Sequence, residues 1–344
     1  MSDTLSFGFC QGSVRSALWR RCLRSVALLL SGACAASVAL AQAPANAEAR
    51  SLTEWLTWVH EAARQRSFTG TLVVSAGEAM STSKVWHACD GVQQMERVDV
   101  LNGAPRTIVR RNNEVITFDA DNKLARLEKR ESIGVLPELL RTQEGRIADH
   151  YRLQAQGEDR VAGHIAQVFH LEAKDVWRFG YRVWVEKKTG LLLKLQTLGP
   201  QQVLEQVAFT ELQLDAPVSM AKLKALMSDT QGYRVETAQL QKTSPEAQGW
   251  RLREAVPGFV SLSCHTSSAS GVARPLQWVF SDGLASVSLF IESFDPKRHQ
   301  RGGTTASGAT HVLTQRVGSH WLTAMGEVPP ATLGAFVERL ERIR

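Results

Sequence analysis

The sequence predicts an α+β protein, mostly β, built as a large antiparallel sheet followed by a smaller second domain. Three observations carry this. Turn dipeptides of the kind that close hairpins, Asp90-Gly91, Asn102-Gly103 and Asn112-Asn113, recur at short intervals between runs rich in Val, Thr and aromatic residues. The strand-like runs follow one another directly, without the intervening helices that a parallel sheet needs. Helical periodicity is confined to a few places, chiefly one segment before the strands and one near the C-terminus.

The first helix opens at Ser51, where Ser51-x-x-Glu54 is a capping box and Leu52, Trp55, Leu56, Val59 and Ala63 share one stripe. That stripe needs a sheet to cover. Strands are expected over 68–74, 84–88, 92–100, 106–110 and 115–118, then over 151–155, 166–171, 181–185, 191–198 and 202–212, with a short helix over 137–141. Lys188-Thr189-Gly190 turns one of the later pairs. A helical stretch over 217–227 ends this part, so the division is a first domain over 48–222, a linker over 223–232 and a second domain over 233–344.

The second part is α+β. A hairpin over 276–280 and 284–291 turns at Ser281-Asp282-Gly283, and Ala285, Val287, Leu289 and Ile291 alternate with Ser286 and Ser288, as on a sheet with one wet face. Another pair, 310–316 and 321–325, turns at Val317-Gly318-Ser319. Residues 299–307 read as a loop. A helix follows Pro329-Pro330, with the stripe Leu333, Phe336, Val337, Leu340 and Ile343.

Residues 1–41 read as a cleavable export signal. Arg15, Arg20, Arg21 and Arg24 precede an apolar run over 26–40, and Ala39-Leu40-Ala41 offers a small-x-small site with cleavage between Ala41 and Gln42. The run is short for a span of ~20 residues, and Ser31, Gly32 and Ser37 dilute it. Cys34 suggests a lipoprotein signal, but Ser31 stands where such signals carry Leu. Cleavage takes away four Arg and one Asp, so the net charge falls from +6 to +3. With no basic run interleaved with aromatics, no nucleic-acid partner is implied. Cys89 and Cys264 survive cleavage, as one disulfide or as two separate buried thiols, and their placement in different domains favours the second.

Reactive constellations are not found. His60-Glu61 opens like a zinc-protease helix, but position 64 is Arg, and His164 and His170 lack a third ligand. There is no G-x-S-x-G elbow, phosphate-binding loop or dinucleotide fingerprint, so no catalytic residue, cofactor or metal is expected. Glu128, Lys129, Arg130 and Glu131 read as solvated protection of a strand end. Trp177, Phe179, Tyr181 and Trp184 concentrate aromatic surface, the first three on one side if the segment is extended and Trp184 on the other, either as sheet core or as the lining of an apolar ligand cavity under a bent sheet.

Several runs resemble one family when taken in order: Leu101-Asn102-Gly103-Ala104-Pro105-Arg106 with 109–115, Tyr181-Arg182-Val183-Trp184-Val185 with 189–195, and Leu204-Glu205-Gln206. Val256-Pro257-Gly258-Phe259, Arg274-Pro275-Leu276, 280–284 and Gly326-Glu327-Val328-Pro329-Pro330 continue the series. Together they resemble the RseB/MucB family, periplasmic negative regulators of the sigma-E envelope-stress response. The resemblance implies a LolA-like open half-barrel and a smaller α/β C-terminal domain. It implies that the latter binds the periplasmic region of a membrane anti-sigma factor and shields it from the site-one protease. Lipopolysaccharide or another acyl lipid would cause release, and assembly would be homo-oligomeric. It offers Arg274, Pro275, Leu276, Asp282 and Gly283 as partner-binding residues. One departure stands out: a polar expansion over 263–273 leaves Arg274 alone where the family tends to place a basic pair. The rival reading is a lipid or lipoprotein carrier, which would not need the second domain.

Overall fold

The computed structural model describes residues 51–129, 147–237, 240–267 and 275–343. The export segment with Ala41 and Gln42, the helix expected over 137–141, and Arg130, Glu131 and Arg274 lie outside the described residues.

The first part runs α1 (Leu52–Arg64), β1 (Phe68–Ala76), β2 (Ala79–Cys89), β3 (Gln94–Val100), β4 (Arg106–Arg111), β5 (Glu114–Asp119) and β6 (Leu124–Lys129). It continues through α2 (Ile147–His150), β7 (Tyr151–Val161), β8 (His164–Ala173), β9 (Gly180–Glu186), β10 (Leu192–Leu198), β11 (Val203–Leu214), α3 (Met220–Ser228) and β12 (Arg234–Thr237). All twelve strands form one sheet, in the order β12-β6-β5-β4-β3-β2-β1-β11-β10-β9-β8-β7. Two meanders therefore meet where β11 pairs with β1, from Phe68↔Leu214 to Ala76↔Glu205. β12 and β7 do not pair with each other, so the sheet is open. Gly91, Gly103 and Asn112 hold the positive φ that their tight turns demand.

The capping box of α1 is closed in both directions: Ser51 N donates to Glu54 Oε2 at 2.8 Å, and Glu54 N to Ser51 Oγ at 3.3 Å. The apolar stripe of α1 packs on Phe169, Leu171, Tyr181, Val183 and Leu195 of β8, β9 and β10. On the other half of the sheet, Leu223 of α3 seals a cluster of Ala88, Met95, Val109, Ile116, Phe118 and Ala125. The segment expected as a linker is thus part of this packing. Residues 223–228 are helix, and 234–237 form β12, parallel to β6 and steadied by the Phe118–Tyr233 ring contact at 5.1 Å.

The second part runs β13 (Leu240–Lys242), β14 (Trp250–Leu252), β15 (Val260–Ser267), β16 (Leu276–Ser281), β17 (Ser286–Ser293), β18 (Gly303–Ser307), β19 (Thr310–Val317), β20 (His320–Gly326), α4 (Pro330–Arg339) and β21 (Leu340–Arg342). Seven strands order as β13-β15-β16-β17-β20-β19-β18, and β14 pairs with β21 apart from them. Val287, Leu289 and Ile291 point inward as their alternation requires and meet Trp278, Phe280, Leu322, Leu333 and Phe336.

Two further expectations differ from the structure. Residues 303–307 are a strand rather than a loop, paired with β19. The last helix ends at Arg339, because Leu340 turns extended and pairs with Leu252. Cys89 and Cys264 are both free thiols. Burial raises each thiol's pKa, that of Cys264 to about 11. No helix among the described residues is long and apolar enough to cross a membrane.

Candidate functional site

The two sheets meet around a buried arginine. Between β8 and β9, Asp175 Oδ1 accepts from Trp177 N at 3.0 Å and from Arg178 Nε at 2.8 Å, a local turn that aims the guanidinium at the second domain. Arg178 Nη1 donates to Asp282 Oδ2 at 2.5 Å and Nη2 to the Pro257 carbonyl at 2.8 Å. Tyr151 Oη donates to the same Asp282 Oδ2 at 3.0 Å. The other carboxylate oxygen, Oδ1, accepts from Leu284 N and Ala285 N at 2.9 and 2.8 Å, so the β16–β17 turn is built around this acid.

Both side chains of the Arg178–Asp282 pair are fully removed from solvent. Burial works against the arginine's charge, but the Asp175 bond and the Asp282 charge more than offset it, leaving its pKa above the usual value. Tyr151 and Tyr181 are held neutral, chiefly by burial. Gly258 completes the fit: a Cβ there would lie 2.5 Å from Arg178 Nη2.

A second contact is the tip of the β18–β19 hairpin. Gly308, at φ +57°, presses on the first sheet so closely that a Cβ would lie 2.6 Å from Ala76 Cβ and 2.9 Å from Glu205 Oε2. Ala309 is fully buried, and its N–H points to Glu205 Oε2 at 3.4 Å. Nearby, burial pushes the Glu327 carboxyl up to about 7, with the charge of Glu205 adding to the effect. Glu205 is raised too, by burial, with the Ala309 N–H working against it. Thr332 Oγ1 donates to the Trp177 carbonyl at 2.8 Å, which adds α4 to the junction. Gly308→Ala is expected to cost about 1–3 kcal/mol, from the positive φ and the clash with Ala76, measured as a lowered urea midpoint.

Residues 51–227 match the MucB/RseB N-terminal domain, and residues 244–341 the MucB/RseB C-terminal domain. The chain belongs to the MucB/RseB family. The sigma factor AlgU regulatory protein MucB of Pseudomonas aeruginosa is 30% identical over 297 residues, covering 83% of this chain and 89% of that protein. The sigma-E factor regulatory protein RseB of Haemophilus influenzae is 23% identical over 302 residues, covering 86% and 93%. The solved MucA/MucB complex of Pseudomonas aeruginosa superposes with TM-score 0.66 at 25% identity, over 85% of this chain and 99% of that one. MucB bound to MucA(peri) gives TM-score 0.64, also at 25% identity, over 86% and 100%.

Within this MucB/RseB fold Trp177, Phe179 and Tyr181 do not line one side of an extended segment. Residues 174–179 are a turn rather than extended chain. Trp177 packs on the second domain's core, and Phe179 faces the His311 ring at 5.9 Å. Tyr181 is buried with Tyr151 under α1, their rings 6.1 Å apart. Trp184 lies on the opposite side of β9, donating to Asp159 Oδ2 at 2.9 Å under the Lys194 ammonium.

The residues offered for partner binding sit as follows. Leu276 is a core residue, Asp282 is occupied inside the molecule, and Gly283 serves the turn with φ +101°. None of these three presents a side chain for a partner to grip; Pro275 is half-buried. Sequence reasoning missed Tyr151, Arg178 and Glu327 as junction residues. A usable signal was present: Glu205 and Glu327 lie in two of the family-like runs, Leu204-Glu205-Gln206 and Gly326-Glu327-Val328.

Proposed function

We propose that this MucB/RseB family member is an exported periplasmic regulator, not an enzyme, that binds the periplasmic region of a membrane-anchored anti-sigma factor. Occupying that region shields it from site-one proteolysis and so restrains the sigma-E envelope-stress response. A lipid or lipopolysaccharide acyl chain taken up by the first domain releases the partner. The observation that carries this reading is the presence of both family domains in order, matching MucB over 89% of its length.

The energetics are within reach. Driving such an equilibrium from bound to released takes roughly 5.5 kcal/mol of differential binding. Acyl methylenes contribute about 0.8 kcal/mol each on burial, so about seven suffice. A carrier would work with the first domain alone. Here the second is tied to it by a solvent-free ion pair, which favours regulation by the two-domain unit.

The test is titration of folded 42–344 with a synthetic peptide of its anti-sigma factor's periplasmic region, followed by fluorescence anisotropy. Micromolar binding, reversed by acyl lipid, is expected. A folded protein that ignores the peptide at about 50 µM, where even an affinity of only −6 kcal/mol would register, ends the proposal.

A further inference from the structure

We infer that the outer edge of β18 is a docking edge, where an extended acidic segment of the partner adds as one more strand of the second sheet. This rests on the function proposed above and names the surface it uses.

Free sheet edges are hazards that proteins blunt with charge, bulges or brevity. Among the described residues the two large sheets have four such edges, and three are blunted. β7 carries Arg152, Glu158, Asp159 and Arg160 and a register shift between Ala155 and Gly157. β12 carries Arg234 and Glu236, and β13 has three residues including Lys242. β18 differs. Its five residues, Gly-Thr-Thr-Ala-Ser, are uncharged, exposed and in unbroken register with β19.

The unused hydrogen-bonding groups on this edge can be named. The two-residue turn at Gly308-Ala309 makes Ser307↔Thr310 the first hydrogen-bonded pair, followed by Thr305↔Val312 and Gly303↔Thr314. The N–H and C=O of Thr304 and Ala306 therefore point outward. The strand is also held in place, because its hairpin tip is wedged against Ala76 and Glu205. A preformed edge loses little entropy on binding.

Two features specify the partner's chemistry. Lys297, Arg301 and Arg316 are exposed at the Gly303 end of β18 and make no ion pair among the described residues, whereas Arg298 there is neutralised by Glu292. That excess of positive charge selects carboxylates. Along the open face, Thr305, Val312, Met325, Ser288 and Val279 form one cross-strand row. An added strand with alternate apolar residues would extend that row.

Hydrogen exchange of 42–344, with and without the synthetic anti-sigma peptide, tests the inference without any variant. The Thr304 and Ala306 amides are expected to slow by about tenfold or more on binding. Ala306→Pro removes an outward N–H but no bond to β19. It should weaken the peptide about 30-fold, equivalent to ~2 kcal/mol, with thermal unfolding unchanged. Arg301→Glu should weaken it several-fold, a difference that fades in ~0.5 M salt. Peptide binding without protection at 303–307, and unaltered by Ala306→Pro, overturns the docking edge while the proposed function stands. Protection that appears with protein concentration alone also overturns it, since a second copy would then occupy the edge. Failure of the unaltered chain to bind removes both readings together.

Discussion

Asp282→Ala is expected to lower folding stability by about 3–5 kcal/mol and to loosen the two domains from each other. The size follows from what the substitution leaves behind. Arg178 keeps its charge in a position without solvent contact and retains only Asp175 and the Pro257 carbonyl as acceptors. The Tyr151 hydroxyl and the backbone N–H groups of Leu284 and Ala285 lose their acceptor in the same step. Each buried orphan costs roughly 1–3 kcal/mol, and relaxation recovers part of the sum. The pair itself contributes less than its removal costs. Arg178→Met combined with Asp282→Leu should therefore recover much of the loss. Urea denaturation of the single and double variants measures this, and limited proteolysis of the segment joining the domains reports their separation. A loss under about 1 kcal/mol for Asp282→Ala would show that the cluster does not clamp the junction.

What was legible in the sequence was local. The capping box at Ser51, the glycine and asparagine turns and the alternation along β17 are each written in adjacent residues, and each recurs in the structure. Strands without alternation were missed or cut short. β7 runs to Val161 although residues 154–160 are exposed, because an edge strand needs only one paired neighbour and no buried face. β18 looks like a loop for the same reason. Leu340 continues the apolar stripe of α4 yet serves a strand, since a buried leucine satisfies either period.

The junction was illegible for a different reason. Tyr151, Arg178 and Asp282 are separated by 27 and 104 positions, and no local pattern links them. Yet the family-like runs were pointing at it. Pro257-Gly258, Ser281-Asp282-Gly283, Leu204-Glu205 and Gly326-Glu327 all flank the junction once folded. Those runs mark the seam between the domains, while the edge open to a partner lies in uncharged residues that resemble nothing in particular.

Glu327→Gln is expected to remove a pH dependence of about 2 kcal/mol from the stability of this protein. The Glu327 carboxyl is raised from the usual range to about 7, first by burial and then by the charge of Glu205. A raised acid favours the folded state when protonated, so its contribution is full below the unfolded value near 4.5. That contribution is lost as pH rises to about 7, and the curve is flat above it. The full shift corresponds to on the order of 3 kcal/mol, and the side chain's partial exposure reduces it. The groups facing it are Glu205 from β11 and Tyr181 from β9, with Arg178 and Asp282 behind the tyrosine. His150 and His320 lie below their usual value because of burial, so their contribution runs the opposite way, lost as pH falls below about 6.5. The difference between the two proteins isolates Glu327, because both carry the same histidines. Urea midpoints at pH 5, 6, 7 and 8 should converge at the acid end, with the variant more stable above 7. Parallel curves would mean that Glu327 ionises as freely in the folded protein as in the unfolded chain and that the seam does not penalise its charge. Glu205→Gln should shrink the effect without abolishing it, because burial, the larger cause, remains.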